Sequence, residues 1–339
     1  MLSRVADSIY WMRRYLERAE HIARILDVNF HLSLDSALFE KQWSPLISTL
    51  GDENWFFEHY SEANKENVIH CLTCDRNYPN SIASCVSKAR ENAKAIKDVI
   101  SSDMWTVLNK FYLNLHTMGD TRLPSLSEVL NSCRLWSQFF EGVCNNTLSR
   151  NEGWHFARLG GLLERADNIS RILDMKYYVL FPAITYVGTS VDMMHWSAIL
   201  KSASAFEMYK KKWARISTEG VISFLVLDLE FPRSIRYCLK EMDKSLHALS
   251  GSPLGTFENK AEKLLGQLRS ELDFLNAVEI IQEGLHEFLD RTQKQLNDIG
   301  ESLYESFFMP SPLSIINATF PFTITTKVPE PVLQEKKEE

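Results

Sequence analysis

Two stretches of this 339-residue chain set glutamate and arginine at helical spacing, with a histidine between them in the first: "LERAEHIARILD" at residues 16–27 and "LERADNISRILD" at residues 163–174. Nine of their twelve positions are identical. On a helix, Glu17, His21 and Arg24 succeed one another a turn apart on one face, matched by Glu164, Asn168 and Arg171. That spacing suits acid–base chemistry on an anion. Glu17, His21 or Glu164 would move a proton, while Arg14, Arg18, Arg24, Arg165 and Arg171 would hold a negatively charged substrate. The same residues would serve as an interhelical salt-bridge network, because buried polar networks fix the register of packed helices.

Winding residues 10–28 as a helix separates an apolar arc (Trp11, Tyr15, Ile22, Leu26) from a polar arc that includes Arg13, Arg14, Glu17, Glu20, His21 and Arg24. Arg18 is the exception, at the edge of the apolar arc, as is its counterpart Arg165. A guanidinium at such a place must find a carboxylate or several carbonyls. Asp75 and Asp228, themselves repeated, are the candidate partners. Other constellations carry less. Cys71-x-x-Cys74 has Phe224 and Leu227 as its counterparts, so its cysteines read as core residues. His155 and His195 belong to no ligand spacing, and no metal is expected. There is neither a GxxxxGK[ST] nor a GxGxxG loop, so no cofactor is expected and any nucleotide would sit on a partner. The basic run in "LKSASAFEMYKKKWARI" makes a local basic face, solvated or a dock for an acidic partner or an anionic substrate, and its aromatics at helical spacing read as core.

The elements that must position these residues repeat as well. "LTCDRNYPNSIASC" at 72–85 aligns with "LVLDLEFPRSIRYC" at 225–238, and Trp43-Ser44 with Trp196-Ser197, both at an offset of 153. The opening pair is offset by 147, and one six-residue insertion between Asp174 and Trp196 reconciles the two. Apolar residues at three- and four-residue spacing elsewhere predict helices, with Pro79 and Pro232 in the first turns of two of them. The expected fold is all-α: an internally duplicated helical bundle with two pseudo-symmetric halves, residues 1–150 and 151–309, in one domain. A proline-punctuated, non-helical and flexible tail, residues 310–339, is expected to follow. A net charge of −7 gives no reason to expect nucleic acid as a partner. The longest apolar stretch, residues 221–231, is too short for a membrane span and contains Asp228 and Glu230. With no signal-like N-terminus, the cytoplasm is the expected compartment.

"LSRVADSIYWMRRYLERAEHIARILDV", "CDRNYPNSIASCVSKARENA", "LERADNISRILDMKYY" and the 196–239 block resemble, in order, the bacterial alpha-E proteins over roughly residues 1–308. Where that family usually has Leu-Gly-Arg before the second Leu-Glu-Arg, this chain has Leu159-Gly160-Gly161, although Arg14 is present in the first copy. The resemblance implies a cytoplasmic system acting on peptide-type amide bonds, because alpha-E genes tend to neighbour a circularly permuted ATP-grasp protein and a transglutaminase-like protein. It implies an accessory or partner subunit of an ATP-grasp ligase. The alternatives are an enzyme of the same pathway that uses the Glu/Arg/His face on an anionic substrate, or a homo-oligomeric scaffold without a site.

Overall fold

The computed structural model describes residues 1–35, 43–117, 125–180 and 189–309. These form helices without a strand among the described residues. The first seven are α1 (Ser3–Asp35), α2 (Ser44–Leu50), α3 (Glu53–His59), α4 (Lys65–Thr73), α5 (Ile82–Ala95), α6 (Ser102–Thr117) and α7 (Leu126–Thr147). The next four are α8 (Glu152–Leu180), α9 (Ser190–Ser202), α10 (Phe206–Lys212) and α11 (Thr218–Leu225). The last are α12 (Ile235–Ser250), α13 (Lys260–Phe274), α14 (Ala277–Glu283) and α15 (Leu285–Leu303), closed by a π-type turn, Tyr304–Phe308.

The two long helices that carry the repeated segments, α1 and α8, pack along each other at the centre. Around α1 lie α5 and α7, with α6 packed on both. Around α8 lie α12 and α15, with α13 packed on both. The short α2 lies against α8, and α9 against α1 and α8. Met1–Phe308 is one compact unit. The expected tail at 310–339 lies outside the described residues.

Because α1 is enclosed by α5, α7, α8 and α9, its polar arc does not face water. Arg13, Glu17, Glu20, His21 and Arg24 are all buried, as are Leu16, Ile22 and Leu26 on the apolar side. The approach of α8 depends on a glycine. A Cβ on Gly160 would stand 2.2 Å from the Tyr10 carbonyl oxygen, so only glycine lets the two backbones come this close.

The repeated proline blocks are turns, but the prolines do not occupy first helical turns. Pro79 and Pro232 precede the N-cap serines by two residues. Ser81 accepts from the Ser84 amide at 3.1 Å and Ser234 from the Tyr237 amide at 3.1 Å. Helix initiation therefore belongs to the serine oxygens, and proline's fixed φ serves the turn before them. The stretch 200–216 spans two helices. It breaks at 203–205 between α9 and α10, where Ser204 takes a φ of 52°. Five of the six cysteines are buried and Cys74 is exposed. Among the described residues no group of histidine, cysteine or acidic side chains could hold a metal ion, and no helix is long and apolar enough to cross a membrane.

Candidate functional site

The two Glu-Arg dipeptides exchange partners across the α1–α8 interface. Glu17 of α1 accepts from Arg165 of α8 through both carboxylate oxygens, at 2.8 Å each. Glu164 of α8 accepts from Arg18 of α1 at 2.6 and 3.1 Å. Both are two-toothed carboxylate–guanidinium pairs, the strongest geometry such groups form.

Each carboxylate also receives a second guanidinium, from a different source. Arg14, one turn before Arg18, reaches Glu164 at 2.8 Å. Its counterpart on α8 is Gly161, which offers nothing, and Arg233 just before α12 takes its place by donating to Glu17 at 3.3 Å and to Glu20 at 2.6 Å. Arg233 stands where the first repeat has Asn80, and Asn80 instead accepts from Arg18 at 2.7 Å. Each carboxylate thus has two guanidinium donors, although the second comes from the same helix as the first at Glu164 and from the turn before α12 at Glu17.

The partners expected for Arg18 and Arg165 are elsewhere. Asp75 accepts from the Tyr60 hydroxyl at 2.7 Å and the Asn77 amide at 2.8 Å. Asp228 accepts from Lys212 at 2.6 Å and from the amides of Glu230 and Phe231 at 2.8 and 2.9 Å. Both aspartates cap the turns in which they sit, a local task that leaves the arginines to carboxylates one helix away. Arg24 and Arg171 are also engaged. Arg24 donates to Glu20 at 2.9 Å and to Ser204, just beyond the end of α9. Arg171 donates to Asp167 at 2.8 Å and to the Thr49 and Leu50 carbonyls, at 3.3 and 3.2 Å, which close α2. Each ties the end of a short helix to a long one.

This lattice fixes the charge states. Burial works to raise the Glu164 carboxyl, but Arg18 and Arg14 outweigh it and hold it down at about 2. Burial likewise opposes ionisation of Glu17, and Arg165 and Arg233 overcome it, leaving that carboxyl well below the usual range. Burial pushes the His21 imidazole down to about 3, and its buried Nε2 has no hydrogen-bond partner among the described residues. The structure brings Glu17, His21 and Glu164 together. It sets two of them as fixed anions and the third as a neutral ring, a poor arrangement for moving a proton near neutral pH.

Beside the lattice lies a cleft that the sequence does not single out. One cavity, of about 200 Å³, is lined by Arg13, Glu141, Trp154, Arg158, Arg165 and Tyr237 among others. A second, of about 110 Å³, shares Arg13, Glu141 and Arg165 and adds Glu17, Glu20 and Arg233. Its walls come from α1, α7, α8 and the turn into α12. The one sequence signal that bears on it is the coincidence of Gly161 at Arg14's place with Arg233 at Asn80's place.

A family model, Alpha-E, described as "A predicted alpha-helical domain with a conserved ER motif", matches residues 1–308. Glu-Arg occurs twice in this chain, at 17–18 and 164–165. A protein of Mycobacterium bovis and two of Mycobacterium tuberculosis strains, each named as an uncharacterized protein, are 23% identical to this chain over 331 residues. The match covers 88% of this chain and 36% of each relative, so the chain spans little more than a third of their length. No solved structure matches it.

Proposed function

The chain belongs to the Alpha-E family, and from that premise we propose that it is an accessory or partner subunit of an ATP-grasp ligase system in the cytoplasm, acting on peptide or amino-acid amide bonds. The observation that carries this reading is the saturation of the Glu-Arg dipeptides by one another. Charges spent on joining α1 to α8 are not available to a reacting substrate. Two further features support it. The sequence has no phosphate-binding loop, so nucleotide chemistry falls to a partner. In the mycobacterial relatives the matching stretch is 36% of a longer chain, so there the helical unit is joined to further sequence. The ligase itself comes from the gene neighbours that the family resemblance implies.

A second reading, an enzyme of the same pathway acting on an anionic substrate, rests on the arginine-lined cleft rather than on the Glu-Arg pairs. A scaffold without a site is favoured by no feature of that cleft. The two leading readings separate on purification of the tagged full chain from its native host, followed by mass spectrometry of what accompanies it. Recovery of an ATP-grasp protein in fixed stoichiometry is expected. Recovery of the chain alone overturns the subunit reading.

A further inference from the structure

We propose that the cleft between α1, α7, α8 and the turn before α12 is a binding site for a small oxyanion, gripped by the guanidinium groups of Arg13 and Arg158. The site stands whether or not a ligase is the partner.

The larger cavity sets three guanidinium groups, Arg13, Arg158 and Arg165, against one lining carboxylate, Glu141. Arg165 is consumed by Glu17. The other two are not. Arg13 is only 6% exposed, and its one ion pair runs from Nη2 to Glu141, leaving Nε and Nη1 without a hydrogen bond among the described residues. Arg158 gives Nη2 to Glu241 at 2.8 Å, and its Nε and Nη1 are likewise unspent. Both side chains line the cavity with donors to spare, and an oxyanion is the group that would engage them.

The surroundings are built to hold that fork in place. Gly161 leaves room for it, since a Cβ there would stand 3.3 Å from Arg13 Nη2 and 3.6 Å from its Nε. Arg158 lies 4.8 Å from the centre of the Trp154 ring, and Arg150 lies 4.3 Å from it. The indole therefore forms a flat wall next to the charge, and Tyr237 lines the same cavity. Planar guanidinium forks match carboxylate and phosphate oxygens two at a time, whereas halide-like ions gain nothing from that geometry. The cavity has room for a head group of amino-acid size. Glu141 is the built-in competitor: it is the partly exposed carboxylate that occupies Arg13 when no ligand does.

Titration calorimetry on the full chain tests this with three probes: inorganic phosphate, N-acetyl-alanyl-alanine, and the C-terminal amide of that dipeptide. Binding of the dipeptide acid but not its amide identifies a carboxylate as the occupant, and binding of phosphate alone identifies a phosphate. Either result supports the site if Arg158→Gln weakens it about tenfold or more and Glu141→Gln, which frees Arg13, strengthens it severalfold. Opposite shifts from two lining residues are not what a general loss of stability produces. The site is overturned if neither acid binds at roughly 10 mM, or if both variants bind as the parent does.

Discussion

An imidazole kept neutral inside a protein becomes a liability once the solution is acidic enough to protonate it in the unfolded chain. His21 is such a group. Burial depresses it most and Arg171 and Arg233 add to this, while Glu164 and Glu17 pull the other way, for a net value of about 3. Its contribution is complete above the unfolded value of roughly 6.5 and is lost as pH falls from there toward the folded value, at about 1.4 kcal/mol per pH unit. The carboxyls of Glu17 and Glu164, also depressed, lose theirs only below the ordinary carboxylate value of about 4.3. Between roughly pH 6.5 and 4.5 the imidazoles therefore dominate the slope. His195 and His155, lowered mainly by burial, share it. His21→Asn copies the residue at the matching place on α8, Asn168, and should make urea stability measurably flatter between pH 7 and 5 than in the parent. An unchanged slope would show that the ring is solvated. At this scale the repeat points to Glu17, Arg18, Glu164 and Arg165, and the structure brings their side chains into contact. The repeat named the wrong carboxylates for the arginines, because Asp75 and Asp228 repeat just as faithfully while capping their own turns.

Helices were legible from spacing, and their ends were not. Periodicity runs straight through 96–101 and 203–205, where the chain turns. A helical wheel also cannot say whether a polar arc faces water or another helix, which is why the arc of α1 read as a possible open cleft. What decides the matter is how closely α8 approaches, and the adjacent glycines separate the two effects. Gly160→Ala sets a methyl against the rigid backbone at Tyr10, 2.2 Å from its carbonyl oxygen, so it should cost about 1–3 kcal/mol or more. Gly161→Ala meets only the movable Arg13 side chain at 3.3 Å, and alanine's better helix propensity of about 1 kcal/mol works in its favour. Thermal melts of the two variants should differ by several degrees in that order, and equal melts would mean that the helices do not cross tightly there.

At the scale of the whole molecule, two sets of helices meet along α1 and α8, and the meeting surface is charged rather than purely apolar. Among the described residues three carboxylates and five arginines are involved: Glu17, Glu20 and Glu164 with Arg14, Arg18, Arg24, Arg165 and Arg233. Buried pairs of this kind specify how parts dock more than they add net stability, but removing one partner strands the other and is costly. The sequence set both Glu-Arg dipeptides on helices but did not pair them with one another, and it did not single out Arg233, because these contacts join blocks far apart in the chain. The most direct measurement is equilibrium denaturation of Glu17→Gln and Glu164→Gln at neutral pH. If the Glu-Arg pairs are the joint, each variant should lose about 3–5 kcal/mol, because two buried guanidinium groups lose their anion. Variants within about 0.5 kcal/mol of the parent would contradict the account and return both glutamates to the role of reacting groups.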